Sequence, residues 1–425
     1  MINKHQAQVD FYDYCQQWKL APWIFVQMQR NNLIGNLYDN VRLKFSNTYE
    51  RVKTENELRY AEAERFLKLF HSQGIEVAIL KGNLLMHSVY AETGYKKMND
   101  FDMLIHPGDW PKVLQIYHDL NYIPLGNGWS GEKAKAAKFS HAGLSFISAN
   151  YHCITGTQWG LKSPTSKYRV DIENLWASTS DFGFRDIQAK QLSPEYNVLH
   201  LILHMGIYKC GIRDCMDIYN ILLKEENIDF DKLNNIIYNS GANNKAWFTM
   251  QLTNICSGAV EPAFLKALTP KNSDFITRRL DARLKMADKS GDMQHSNNDH
   301  FHHIEMIVFY FGLFNVFHKK LYFFVKLVRQ MFFPPKSLAF KLSDLSENPT
   351  LWQKVRAVIK APYNVFALTG EEIGTKITFI LFFKLMIDTL LSVRFYFIRK
   401  ETYFEYLRRR NIDIAEITRI VKGIE

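Results

Sequence analysis

Between residues 74 and 107 the chain changes hydrophobic period repeatedly, and this short stretch limits the fold more than any other. Residues 75–80 (IEVAIL) form an apolar run of strand length. Residues 80–90 (LKGNLLMHSVY) turn through Lys81-Gly82 into a helix, and residues 99–107 (NDFDMLIHP) alternate as a strand that Pro107 stops. The result is a strand, turn, helix, strand unit. Before it, residues 8–35 and 41–73 carry apolar side chains at helical intervals, with Gly74 ending the second helix. After it the spacing predicts a helix from Asp109 to about Leu120 and strands over 143–155 and 167–175.

From Ser193 the pattern is helical. Ser193 is placed as N-cap and Pro194 at the first helical position, and further helices are expected over 213–224, 229–240 and onward to about 285. The polar stretch 289–303 reads as a linker. A Phe-rich helix (304–332), a break at Pro334-Pro335 and helices near 351–360 and 376–410 follow. The expected class is α+β, a small mixed sheet flanked by N-terminal helices and a large helical C-terminal region. The expected divisions are 1–73, 74–192 for the sheet-bearing core, 193–288, the linker 289–303, and 304–425.

With 47% hydrophobic and 23% charged residues among 425, neither disorder nor a fibrous repeat fits. The net charge is +10, of which residues 301–425 hold +8. Five cysteines without a CxxC pair indicate neither a disulfide framework nor a zinc knuckle, and a reducing cytoplasm is the expected location. The first 15 residues contain no apolar stretch of signal-peptide length. Residues 376–397 approach a membrane span, but Lys384, Asp388 and Arg394 interrupt them, and a long helix is expected instead.

Asp100 and Asp102 stand two apart at the start of a strand, so their carboxylates project to one face. Like charges so placed favour a raised pKa or a bound divalent cation, and Mg2+ takes hard oxygen ligands of this kind. Asp171, between Val170 and Ile172 on the expected strand 167–175, is a third carboxylate facing away from the core. The Lys81-Gly82-Asn83 turn opens a helix, where free backbone N–H groups and the helix dipole favour an anion. Gly82 would let a phosphate approach, and Lys81 would add a charge.

In this order, LKGNLLMHSVY (80–90), MNDFDMLIHPGDW (98–110), VDIE (170–173), SPEYNVLHLILHMG (193–206) and RDCMDIYNILL (213–223) resemble the bacterial family of uncharacterised nucleotidyltransferases in the DNA polymerase beta-like superfamily. The likeness covers about residues 70–225, and the tail through FFPP (332–335) is also similar. It implies a Mg2+-dependent enzyme that moves a nucleoside monophosphate from a nucleoside triphosphate to an unidentified hydroxyl or phosphate acceptor. Asp100 and Asp102 would bind two Mg2+ ions and the triphosphate. Asp171 would bind the catalytic metal and orient or deprotonate the acceptor. Gly82 and Asn83 would lie over the phosphates, with Lys81 beside them. The sequence departs from the family pattern at Asn83, where a small Ser or Gly is usual, at Glu173 in place of His, and at Lys96 or Lys97 in place of Arg.

His200 and His204, four apart on one helix, have zinc-compatible spacing but lack the HExxH glutamate. Two readings stay open: a cleft-facing helix with His204 contacting the nucleotide, or ordinary packing histidines. Asp217 on the next helix can be an ion-paired structural residue or a ligand. For residues 309–335, with Lys319, Lys320, Lys326 and Arg329, three readings stay open: a helical core, a helix lying on a membrane surface, and a platform for a partner or RNA. The expected partners are therefore a nucleoside triphosphate, an acceptor and, through 304–335, the periphery of an anionic membrane, with no nucleic acid required. The alternative function is a non-catalytic, membrane-proximal interaction protein that keeps the fold.

Overall fold

A computed structural model describes residues 4–424 other than 126–139, 165, 206–210, 225–227, 272–274, 291–303, 305–306, 309–310, 312–315, 344, 346–348 and 399–400. The expected linker thus lies almost wholly outside the described residues, as do parts of the Phe-rich segment. Three helices lead in, α1 (Lys4–Gln17), α2 (Ala21–Arg30) and α3 (Asp39–Ser72), and Gly74 at φ 67° follows the end of α3 in the left-handed region that glycine tolerates.

The core then runs β1 (Val77–Ile79), α4 (Lys81–Ser88), β2 (Phe101–Ile105), α5 (Trp110–Asp119), β3 (Ile123–Pro124), β4 (Phe146–Ile147), β5 (Ile154–Gln158), α6 (Ile172–Ala177), β6 (Ser180–Phe184) and β7 (Ile187–Gln191). These strands make one mixed sheet in the order β3-β4-β5-β2-β1-β7-β6. The two central strands β1 and β2 are antiparallel, with Ala78 opposite Leu104, while β2–β5 and β1–β7 are parallel. Every residue of β2 is buried, as a strand with a covered sheet on both sides requires.

Helix α3 lies along the sheet. Its Tyr60 and Phe66 meet Phe101 of β2 edge-on at 6.5 and 5.7 Å between ring centroids, and Phe66 also packs on Tyr117 and Tyr122. The buried Glu62 on the same helix accepts hydrogen bonds from Tyr122 Oη at 2.6 Å and Asn150 Nδ2 at 2.9 Å. Burial of that carboxylate is thereby compensated.

Helices α7 (Pro194–His204), α8 (Ile212–Lys224), α9 (Phe230–Asn239), α10 (Asn243–Ser257), α11 (Pro262–Leu268) and α12 (Phe275–Ser290) follow, then α13 (Phe317–Phe332), α14 (Lys336–Leu342), α15 (Leu351–Ile373), α16 (Thr375–Leu391), α17 (Tyr403–Arg409) and α18 (Ile414–Ile424). The last two return to the sheet: Tyr403, Leu407 and Ile417 form a small cluster with Ile123, Ile147 and Ile154, and Tyr403 Oη donates to the carbonyl of Pro124 at 3.0 Å.

Several expectations are corrected. The stretch 143–155 is not one strand but β4 and the start of β5, folded back on each other with Ile147 opposite Ile154. No strand covers 167–175; residues 172–177 are helix α6. Ser193 stands at the N-cap of α7, yet its hydroxyl donates to Glu195 Oε2 at 2.8 Å rather than capping the backbone. The expected helix 376–410 is broken into α16, a 3-10 turn at Ser392–Tyr396 and α17. Among the described residues no helix is long and apolar enough to cross a membrane.

Candidate active site

The site begins where β1 hands over to α4. Leu80 N–H donates to the carbonyl of Asp102 at 3.1 Å, so the turn that follows is tied to the neighbouring strand at the aspartate. Lys81 then takes φ 53°, a left-handed conformation that costs a non-glycine residue about 1 kcal/mol. An outlier of this kind persists only where its surroundings fix it. Here they do: Lys81 Nζ lies 2.8 Å from Asp102 Oδ2, with the two side chains only 13% and 7% exposed. Burial pulls the ammonium down, but the charges of Asp102 and Asp100 and the hydrogen bond to Asp102 outweigh it and hold its pKa above the ordinary value.

Asp102 itself sits in β2 directly opposite Gly156 of β5. Its Oδ1 accepts a hydrogen bond from the buried Gln158 at 3.1 Å. A Cβ at position 156 would fall 2.2 Å from that same oxygen, so the carboxylate occupies space that only glycine leaves. Asp100, immediately before the strand, has its carboxyl pushed up to about 6, first by burial and then by the charge of Asp102. The charge of Asp102 therefore reaches Asp100, two residues before it.

Asn83 holds the same corner together. It is fully buried and donates from Nδ2 to the backbone carbonyl of Asp100 at 3.0 Å. Its amide oxygen is buried without a partner. The Gly82 backbone is not open to a phosphate as expected: a Cβ there would lie 2.5 Å from Cε of Met98, whose thioether end covers it. Behind this turn, Lys96 Nζ and Tyr90 Oη both bond the buried Asp217 carboxylate. Asp217 thus takes the structural role of the two that were open, fastening α8 to the loop before β2.

Asp171 stands elsewhere than expected. It is exposed, at the N-cap of α6, where its Oδ1 accepts from Asn174 N at 3.0 Å and its Oδ2 from Asn174 Nδ2 at 2.7 Å. Among the described residues no three His, Cys, Asp or Glu side chains converge on a position that could hold a metal ion. Asp100 and Asp102 nevertheless fit a hard divalent cation: two neighbouring carboxylates, one with its proton affinity raised and the other already bound to a cationic ammonium. Mg2+ commonly takes one or two carboxylates and completes its shell with water and phosphate oxygens.

Of the two histidines on α7, His200 is the one turned inward. It is 1% exposed and held well below its ordinary pKa, first by burial and then by the charges of Lys81, His141 and Lys162. Its Nδ1 is buried with no partner. His204, at the exposed end of the helix, has its ring centroid 6.5 Å from that of His200. Helix α4 contacts α7, and the Lys81 charge reaches His200.

Gln158, Gly156, His141 and Lys162 were not singled out in the sequence. His141 is held down to about 4, by burial first and then by Lys162 and Lys81. Its backbone carbonyl accepts from Trp159 N–H at 2.8 Å, beside Gln158. The one signal available in sequence was Gly156 itself, a glycine inside an otherwise regular strand, which marks a close approach.

A family model described as an uncharacterised nucleotidyltransferase matches residues 5–258. No curated protein and no solved structure matches the chain.

Proposed function

Since the chain belongs to the uncharacterised nucleotidyltransferase family, we propose that it moves a nucleoside monophosphate from a nucleoside triphosphate to a hydroxyl or phosphate acceptor, with Asp100 and Asp102 as ligands of Mg2+. One observation carries this reading: two neighbouring carboxylates, Asp100 and Asp102, meet the Lys81-Gly82-Asn83 turn at the start of a helix. Asp100 and Asp102 would hold a divalent cation there, which would supply Lewis-acid polarisation of the phosphoryl group and charge neutralisation for the leaving pyrophosphate.

The remaining work falls to the chain. Lys81, freed from Asp102, offers its ammonium to the triphosphate as a point charge. Met98 moves its flexible end off Gly82 to admit a phosphate to the backbone N–H groups of α4. Asn83 keeps Asp100 fixed against that helix. The acceptor oxygen bonds the α-phosphorus, the bond to the bridging oxygen breaks, and the acceptor proton passes to a base. Asp171 enters as that base, which requires it to leave its capping position on α6. The second ion of the superfamily pattern rests on the resemblance alone.

A second reading, a non-catalytic protein that keeps the fold, is favoured by one observation: the Lys81 ammonium already neutralises Asp102. The two separate in one experiment. The protein is incubated with each labelled nucleoside triphosphate, Mg2+ and a cell extract, and labelled products are sought. Label transferred by the wild type and lost in Asp100→Ala/Asp102→Ala supports the enzyme. Equal consumption of nucleotide by both proteins contradicts it, and no transfer under any condition supports the second reading.

A further inference from the structure

Two helices of the C-terminal region turn apolar faces to solvent. On α15, Leu351, Trp352, Val355, Val358, Ile359 and Tyr363 are exposed, Trp352 by 80% and Ile359 by 73%. At 100° per residue they share an arc about 140° wide. The opposite side, through Ala357, Ala361, Val365 and Leu368, is the buried one. Helix α16 is apolar more nearly all round: Phe379, Ile380, Phe383, Ile387, Leu390 and Leu391 are exposed within an arc of about 120°, with Lys376 inside that arc and Leu381 exposed outside it. Soluble domains scatter single apolar side chains over their surface, but they rarely leave whole helix faces uncovered.

The two helices meet at Gly374, with Phe366 and Phe379 stacked at 5.0 Å. Helix α13 supports them from behind, since Phe332 contacts both Phe366 and Phe382. One side of α13 thus packs on this pair through Phe324 and Phe332, with Leu327 and Met331 buried, while Leu321, Tyr322 and Val325 are exposed.

Charge decides what covers these faces. Lys354, Arg356, Lys360, Lys376, Lys384 and Arg394 are all exposed. Among the described side chains of 351–398 no carboxylate is fully exposed: Glu371 is buried and paired with Lys167, and Asp388 is half-buried. At 100° per residue Lys354 borders the apolar arc of α15 on one side and Arg356 and Lys360 on the other. A second copy of the same face would bring like charges together. An apolar face edged by Lys and Arg, with a tryptophan in it, matches a helix lying at the interface of an anionic bilayer. No described helix is long and apolar enough to cross it.

We propose that the α15–α16 pair seats the protein on the surface of an anionic membrane, its apolar faces in the headgroup boundary and its six cations among the lipid phosphates. This surface is separate from the candidate active site and does not depend on catalysis.

The test is flotation of the full chain with phosphatidylglycerol–phosphatidylcholine vesicles and with phosphatidylcholine vesicles alone. The wild type is expected to float with the first and much less with the second. Lys354→Glu/Arg356→Glu/Lys360→Glu, which alters only exposed side chains, should lower partitioning roughly a hundredfold, on the order of fivefold per cation removed. Trp352→Glu/Ile359→Glu should abolish it, with thermal melting confirming that both variants fold. Failure of the wild type to float with anionic vesicles, or unchanged partitioning of the charge variant, overturns the proposal. So does a concentration-dependent dimer that Trp352→Glu/Ile359→Glu dissolves while vesicles bind nothing, which would assign the face to a second copy.

Discussion

Gly156 lies opposite Asp102 across the β2–β5 ladder, and a Cβ there would sit 2.2 Å from the Asp102 carboxylate oxygen. That oxygen is held by Gln158 and its partner oxygen by Lys81, so the carboxylate cannot swing aside without losing one of them. Gly156→Ala is expected to destabilise the protein by about 1–3 kcal/mol and to weaken Mg2+–nucleotide binding at the same time. Urea denaturation and calorimetric titration check the two effects. Unchanged binding would separate the glycine from the site.

Removing the lysine tests whether its ammonium stands where a metal is wanted. Lys81→Met leaves the Asp102 carboxylate buried without its cation, a loss of about 3–5 kcal/mol. Mg2+ should then raise the melting temperature of the variant by more than it raises that of the wild type, because the vacated carboxylate binds the ion without competition. Equal shifts in a thermal melt would argue against any competition between lysine and metal.

Asp171 separates capping from chemistry. Asp171→Ser keeps an N-cap acceptor for α6 while deleting the carboxylate, and its stability should stay within about 0.5 kcal/mol of the wild type. If Asp171 also serves as base, nucleotidyl transfer falls by about a hundredfold or more in the same variant. Retained transfer would confine the residue to its cap.

His200, which is buried, and His141, which is half-buried, are expected to make the protein acid-sensitive. His141 is held down to about 4 and His200 well below its ordinary value, burial being the leading cause for both. Both are neutral in the fold and gain protons on unfolding. Their contribution to stability is therefore complete above about pH 6.5 and is lost as pH falls towards 4, by up to about 1.4 kcal/mol per histidine per pH unit. Asp100, raised to about 6, binds its proton more tightly in the fold and works in the opposite direction below that pH. Denaturation midpoints at pH 7 and pH 5 should thus converge in His141→Gln/His200→Gln relative to the wild type. A parallel loss in both proteins would rule the histidines out.

The sequence-to-structure relation is uneven for physical reasons. The unit from β1 to β2 was legible because each piece is short, local and punctuated, by Lys81-Gly82 at one joint and Pro107 at the end. The two-residue spacing of Asp100 and Asp102 was legible, and the charge of Asp102 does reach Asp100, although Asp100 lies just before β2. The β6–β7 hairpin was not legible: its turn uses Arg185 at φ 53° rather than glycine, and β7 pairs with β1, more than 100 residues earlier. Residues 167–175 alternate like a strand, yet Asp171 with Asn174 three residues on is a helix N-cap, and six residues of helix are too few for a 3.6 period to show. His200 and His204 share a helical face, so spacing could not choose between them. Only the fold separates them, burying His200 and leaving His204 exposed at the end of α7. Gly156 needed the β2–β5 register before its role could be seen.

Asp100 and Asp102 are proposed to hold the metal that binds nucleotide. Calorimetric titration with a non-hydrolysable nucleoside triphosphate analogue, in the presence and absence of Mg2+, tests it most directly. The wild type is expected to bind only with Mg2+, and Asp100→Asn/Asp102→Asn to lose that binding while melting as a folded protein. Mg2+-dependent binding of equal affinity in the double variant would contradict the claim.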